Sequence, residues 1–205
     1  MSVPVVDSFK RSDAWQAAEV LRIAGSRFDA AYMPLVREVL QNCSDTLSVV
    51  VKNPNKEKSL AAFVLVCTSE TSTRWAYGPR VVAATQGMYE IAFCATDVGW
   101  EGRGFARAMF SQILDGIRLL GAYCWLHVDI VNPRAISLYQ SLGFLPVMTV
   151  DDPIGSRGLL MVAAASTTPR RDSDSEEWTA LLNAGPGQTE KSLCGGVFQP
   201  PGVAC

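Results

Sequence analysis

The feature that most constrains this 205-residue chain is a strand, a glycine-rich turn and a long helix, followed at once by a second strand and a short helix, over residues 88–144. MYEIAFCATD alternates as a strand does, and GWEGRGFARAMF turns through Gly99, Gly102 and Gly104 into an amphipathic helix. WLHVDIVN then reads as a strand and PRAISLYQSLGF as a short helix with Pro133 at its start and Gly143 at its stop. The first turn of a helix leaves backbone N–H groups without helical partners, and glycines at 102 and 104 let an anion approach them. Arg103 and Arg107 add positive charge. The turn is not a Walker loop, because neither Lys-Ser nor Lys-Thr follows it, and GxGxxG spacing is absent.

A 48% hydrophobic composition at this length predicts one substantial core. A net charge of -2 gives no basic stripe for sequence-independent phosphate binding, so nucleic acid is excluded as a direct partner. No apolar run approaches the roughly 20 residues of a membrane span, and the N-terminus MSVPVVDSFKRSD has no apolar core of a secretion signal. The expectation is a soluble, intracellular protein, cytoplasmic or nuclear, with no membrane partner. Six cysteines without a CxxC pair and a single histidine predict no metal site. Cys67, Cys94 and Cys124 sit in apolar runs and read as reduced, buried thiols.

Upstream, residues 1–11 suggest a short strand through Val3, Val5 and Val6. A helix is expected from an Asp13 cap, with Trp15, Ala18, Leu21 and Ala24 on one face. GSRF then leads to a second helix around Pro34, burying Leu35, Val36, Val39 and Leu40. TLSVVVK and SLAAFVLVC predict a hairpin across NPNKEK. Residues 68–87 read as a long connection with at most a short strand over 80–84, in which Trp75 and Tyr77 either cover a cleft or plug the loop onto the core. The central strand is expected to put Glu90, Ala92 and Cys94 on one face and Ile91, Phe93 and Ala95 on the other. In the long helix Ala106, Phe110, Ile113, Ile117 and Leu120 form the predicted buried stripe. Residues 144–150 and 158–165 predict a closing hairpin around DDPIGSRG. From Ser166 the composition turns to Pro, Gly, Ser and charge. The expected organisation is therefore one domain over 1–165 and a disordered tail over 166–205, in which EEWTALLN could form a short helix.

The spacing of EGRGFA resembles the acyl-CoA pyrophosphate loop of the GNAT superfamily of N-acetyltransferases. LHVDIVNPRAISLYQSLGF resembles that superfamily's later motif, with Asn132, Ala135, Leu138, Tyr139, Gly143 and Phe144 at its intervals. The sequence departs from the loop pattern at Glu101, where the superfamily has Arg or Gln. The resemblance implies an α/β (α+β) fold with a mixed, mostly antiparallel sheet of about six or seven strands, splayed at the cofactor site and flanked by helices. It also implies acetyl-CoA as cosubstrate and an amine acceptor as partner. Phe93, Cys94 and Ala95 would line the pantetheine arm. Gly102, Arg103, Gly104, Phe105, Ala106 and Arg107 would seat the pyrophosphate, with Asn132 and Tyr139 also at the cofactor.

YEIAFCA further resembles the cofactor strand of the histone lysine acetyltransferase branch, where a glutamate at the position of Glu90 deprotonates the lysine. A carboxylate in an apolar strand can have its pKa raised enough to do so. The other reading of Glu90 is a solvated glutamate at the rim of the sheet. Tyr139 matches the tyrosine that protonates the departing thiolate in many members, and it also suits a helix tyrosine covering the core. Asn132 either contacts the cofactor or caps the helix at Pro133. His127 reads as a hydrogen-bonded core histidine or as a relay with Asp129. Cys94 has no visible activating base, so an acyl-enzyme is rejected. Three functions follow: a protein or histone lysine acetyltransferase, a small-amine or peptide N-terminal acetyltransferase, and a non-catalytic acyl-CoA-binding protein. Asp151 and Asp152 could attract a cationic amine.

Overall fold

The computed structural model describes residues 4–24, 33–56, 59–153 and 155–163. The GSRF loop, Ile154 of the DDPIGSRG loop, the tail expected from Ser166, its EEWTALLN segment, Cys194 and Cys205 lie outside the described residues. The chain divides into two units, Met1–Ser166 and Thr167–Cys205, and the described elements all belong to the first.

In chain order these elements are β1 (Asp7–Ser8), α1 (Ala14–Ala24), α2 (Met33–Asn42), β2 (Val49–Lys52), β3 (Leu60–Cys67), α3 (Pro79–Ala84), β4 (Tyr89–Thr96), α4 (Phe105–Leu119), β5 (Cys124–Asp129), α5 (Pro133–Ser141), β6 (Leu145–Asp151) and β7 (Arg157–Ala163). Short 3-10 turns stand at Arg11–Asp13, Arg74–Tyr77 and Val98–Trp100. The strands form one seven-stranded sheet in the order β1-β2-β3-β4-β5-β7-β6. Each neighbouring pair is antiparallel except β4 and β5. A mixed, mostly antiparallel sheet flanked by helices is the architecture the sequence predicts.

Apolar patterning explains how the layers assemble. All eight residues of β3 are buried, as a continuous aliphatic run at the middle of a sheet should be. On one face Met109, Phe110, Ile113, Leu114 and Ile117 of α4 and Ile136 of α5 pack on Val64, Val66, Ile91, Leu126 and Met161. The other face carries two clusters. Ala17, Val20 and Leu21 of α1 and Val36, Val39 and Leu40 of α2 cover Phe63, Leu65 and Phe93, while Val81 of α3 covers Trp125, Leu160 and Val162.

Several expectations are corrected. The segment over 80–84 is helical: Gly78 turns the chain at φ 89, and Pro79 starts α3 where its missing N–H does no harm. Asp13 does not cap α1 directly. It ends a 3-10 turn that runs straight into α1, and its buried carboxylate accepts the Lys10 backbone N–H at 2.9 Å and pairs with Lys52 of β2. Trp15 is 63% exposed, because the buried face of α1 runs through Ala17, Val20 and Leu21. Leu120 lies beyond the end of α4 and is exposed, and Met109 and Leu114 complete the stripe in its place. The first strand is Asp7–Ser8, paired with Val49 and Val50.

The alternation in β4 is broken by a bulge. Leu65 faces Phe93 but Val66 faces Ile91, so Ala92 is an extra residue on this strand. Parity switches there. Ile91 and Cys94 pack toward α4, while Ala92, Phe93 and Ala95 pack toward α1 and α2.

Candidate functional site

Strands β4 and β5 pair at Tyr89↔Cys124 and Glu90↔Trp125, and the ladder stops there. From Ile91 onward β4 stays paired to β3, and from Leu126 onward β5 stays paired to β7, so the sheet opens between them. Every strand N–H and C=O is an obligatory hydrogen-bonding group, so a seam of this kind is a place for an extended ligand to pair. Phe93, Cys94 and Ala95 stand along the β4 side of the opening.

The N-terminus of α4 follows β4 directly. The Asp97 carboxylate accepts the Gly99 N–H at 2.9 Å and the Asp97 carbonyl accepts the Trp100 N–H at 2.7 Å, which shapes the turn. Gly102 and Gly104 then take φ 73 and φ 80, a region that side chains disfavour. Gly104 caps the helix with no side-chain hydrogen bond, so the first-turn amides of Phe105, Ala106 and Arg107 have no capping acceptor. With the helix dipole, such amides are suited to receive an anion.

Its basic residues are oriented by neighbours. The Arg103 guanidinium lies 4.4 Å from the centroid of Trp100, whose ring stacks on Phe105 at 5.8 Å. Arg107 donates to Ser141 Oγ of α5 at 2.8 Å. Glu101 has a partner that spacing could not reveal: Arg134 of α5 donates to its carboxylate at 3.2 Å. The acidic departure in the loop is thus balanced by a cation 33 residues away in sequence.

Tyr139 sits between α4 and the start of β6, with its ring 5.2 Å from Phe110 and 5.8 Å from Phe144. Burial drives its phenol pKa well above the ordinary value, with the nearby Cys94 adding to the effect, so the group stays protonated. The Cys94 thiol is itself pushed up to about 12 by burial, which leaves it a poor nucleophile. Asn132 caps α5 by accepting the Ala135 N–H at 3.2 Å.

Glu90 is 2% exposed. Its carboxylate accepts three hydrogen bonds: from Ser72 Oγ at 2.8 Å, the Thr73 N–H at 2.5 Å and Thr73 Oγ1 at 2.5 Å. Burial raises its pKa, against the pull of these donors and of the buried Arg74. The rim reading is therefore replaced by a buried, fully engaged group. The sequence analysis missed the donors, because they lie in the connection over 68–87.

On the same face as α3, Tyr77 packs edge-on against Trp125 at 5.8 Å and beside His127 at 5.3 Å. Trp75 is 60% exposed, so of the two aromatics it is Tyr77 that plugs the connection onto the core. The His127 Nε2 is buried without a hydrogen-bond partner, and burial lowers the pKa of the imidazole. Among the described residues no group of three or more His, Cys, Asp or Glu could hold a metal, and no helix is long and apolar enough to cross a membrane.

An open parallel seam thus stands beside an uncapped, glycine-led helix in a mixed α/β domain. The family model for the acetyltransferase (GNAT) family matches residues 17–144, and the chain belongs to that family. It is 33% identical over 85 residues to the N-alpha-acetyltransferase RimI of Mycobacterium tuberculosis, a match covering 42% of this chain and 49% of that protein. The chain thus spans about half the length of this curated relative. The fold is shared with the ribosomal-protein-S18-alanine N-acetyltransferase from Escherichia coli, with TM-score 0.58, 18% identity and coverage of 82% of this chain and 98% of that one. A chain of the NatC complex bound to Gag peptide and CoA superposes with TM-score 0.60 at 13% identity, covering 80% of this chain and 99% of that one.

Proposed function

We propose that this protein transfers an acetyl group from acetyl-CoA to a primary amine, and that the amine is the N-terminal α-amine of a peptide or protein. The observation that carries the transfer is the pairing of an open β4–β5 seam with the uncapped N-terminus of α4. The seat over Gly102–Arg107 suits a pyrophosphate, and the β4 edge through Phe93, Cys94 and Ala95 suits the amide-bearing arm of coenzyme A. Bound there, acetyl-CoA supplies an activated thioester. Tyr139, packed in the same cluster as Cys94 of the seam strand, is the group we assign to protonate the departing sulfur.

The choice of amine follows from proton chemistry. At pH 7 a lysine ammonium with an ordinary pKa of about 10.4 must give up about 4–5 kcal/mol to become a nucleophile, whereas an α-ammonium near about 8 needs only about 1 kcal/mol. A lysine acceptor therefore demands a strong, accessible base. Glu90, which the resemblance suggests for that task, is buried and engaged by Ser72 and Thr73. An α-amine needs far less help, and such an acceptor agrees with the names of RimI and the S18-alanine enzyme.

The test is coenzyme A release with acetyl-CoA over three acceptor sets: lysine-free peptides with free N-termini, N-terminally blocked lysine peptides, and polyamines. Turnover with the first set is expected. Turnover confined to the blocked lysine peptides or the polyamines overturns the assignment of acceptor, and saturable acetyl-CoA binding without turnover on any amine favours the non-catalytic reading.

A further inference from the structure

The segment between β3 and β4 is tied down at both ends by one buried cation. Arg74 donates from Nη1 to the carbonyl of Thr85 at 2.5 Å and from Nη2 to those of Ser69 and Met88, each at 3.1 Å. Thr85 closes α3 by donating to Val81 O at 2.7 Å. Within this arch, Ser72 and Thr73 meet the Glu90 carboxylate. Glu90 and Trp125 form the last rung of the parallel ladder, so the pin stands where the sheet begins to open. Immediately past the pin, the 3-10 turn over Arg74–Tyr77 delivers the Tyr77 ring onto Trp125 and His127, on the face opposite α4.

We propose that Glu90 is a positioning residue: with Ser72 and Thr73 it latches the 72–84 arch so that Tyr77 forms one wall of the acceptor-amine site at the mouth of the seam. The acceptor part of this proposal rests on the amine-acetylating function argued above. Three features carry it. Both carboxylate oxygens are spent on donors from the arch, so the charge serves the loop. The donors include a backbone N–H, which fixes the position of the chain itself. The arch holds the Tyr77 ring against Trp125 and His127 of β5, on the face opposite α4, so an amine that meets the thioester from that side of the seam passes this wall.

Glu90→Gln distinguishes a latch from a base. A glutamine keeps the pin: its carbonyl accepts from Thr73 N–H and Ser72 Oγ, and its amide donates to Thr73 Oγ1, since a hydroxyl accepts as well as donates. It cannot take a proton. The experiment compares Glu90→Gln, Glu90→Ala, Ser72→Ala and Thr73→Val in the full chain. It reads acetyl-CoA affinity, acceptor KM and kcat, and amide hydrogen exchange over residues 72–84. The latch predicts Glu90→Gln within about threefold of the parent in every readout. It predicts that Glu90→Ala and Thr73→Val exchange about tenfold or more faster over 72–84 and raise acceptor KM by about tenfold, with acetyl-CoA affinity unchanged. If Glu90→Ala does not fold, Ser72→Ala and Thr73→Val carry the same comparison. The proposal is overturned if Glu90→Gln loses turnover while exchange over 72–84 stays at the parental rate, the mark of a base. It is equally overturned if removing the pin leaves exchange unchanged. Should the parent acetylate no amine, the functional reading fails on its own, and exchange over 72–84 alone decides the latch.

Discussion

Gly158 of β7 lies against the imidazole of His127 in β5, so close that a Cβ at residue 158 would stand 2.1 Å from Nε2 and 2.6 Å from the carbonyl oxygen of Val128. A side chain there would have to displace a ring already wedged by Tyr77, and a backbone oxygen that cannot move alone. Gly158→Ala is expected to destabilise the fold by about 1–3 kcal/mol, as overpacking does. Chemical denaturation measures it, and an unchanged midpoint would contradict the contact.

The same histidine makes stability depend on pH. Burial lowers the His127 pKa in the folded state, and Asp152, a backbone hydrogen bond at Val150, Asp129 and Asp151 only partly oppose it. A depressed folded pKa means the contribution is complete above the unfolded value of about 6.5 and is lost as pH falls below it, because the unfolded chain then binds the proton more readily. Melting temperature is expected to drop between pH 7.5 and 5.5, and His127→Gln is expected to flatten that drop. A slope identical in the variant would assign the acid sensitivity elsewhere.

Tyr139→Phe removes the phenol and leaves the ring between Phe110 and Phe144. For a proton donor to the leaving sulfur, kcat is expected to fall about 100-fold or more, with acetyl-CoA affinity and thermal stability close to parental. Steady-state kinetics beside calorimetry separates this from a packing defect, which would lower stability first.

Cys94 bears on the number of chemical steps. With its thiol held near about 12, it stays protonated at neutral pH, so Cys94→Ala is expected to keep its turnover. Mass spectrometry of the parent after acetyl-CoA without acceptor should find no acetyl adduct on this residue. An adduct would require a two-step route.

Glu101→Gln removes an exposed pair with Arg134. Such pairs contribute about 0–1 kcal/mol, so stability should hardly change. Freed from its counter-charge beside an anion seat, Arg134 is expected to tighten acetyl-CoA binding by a few-fold at low salt and to steepen the loss of affinity as salt rises. Calorimetry at two salt concentrations reads both effects.

The glycine-led start of α4 and the helix carrying Tyr139 were legible because both rest on local geometry: glycines before a helix, and a proline-led helix stopped by Gly143. The strands β2 to β7 followed from apolar, β-branched runs bounded by turn residues for the same reason. What escaped depends on distance in sequence. Ala92 carries no mark of a bulge, since an extra residue is defined by what β3 places opposite it. Glu90 gave no sign of Ser72 and Thr73, and Glu101 gave none of Arg134, because hydrogen-bond partners 17 to 33 residues away are chosen by topology. The Arg80–Ala84 stretch misled because β-branched residues suit a strand, yet Gly78 and Pro79 immediately before it nucleate a helix.

The two-rung ladder between β4 and β5 has a mechanical consequence. Strands β1–β4 form one continuous plate and β5–β7 another, and the main chain welds them at a single corner, with Glu90 and Trp125 as the outer rivet. Beyond that corner the plates are joined through the apolar cluster that holds residues of α4 and α5, not by the ladder. A molecule that hydrogen-bonds along the gap would act as a cross-tie between the plates. Its presence should therefore register in slow exchange of amides on β5 as clearly as on β4, although β5 donates nothing to the glycine-led seat.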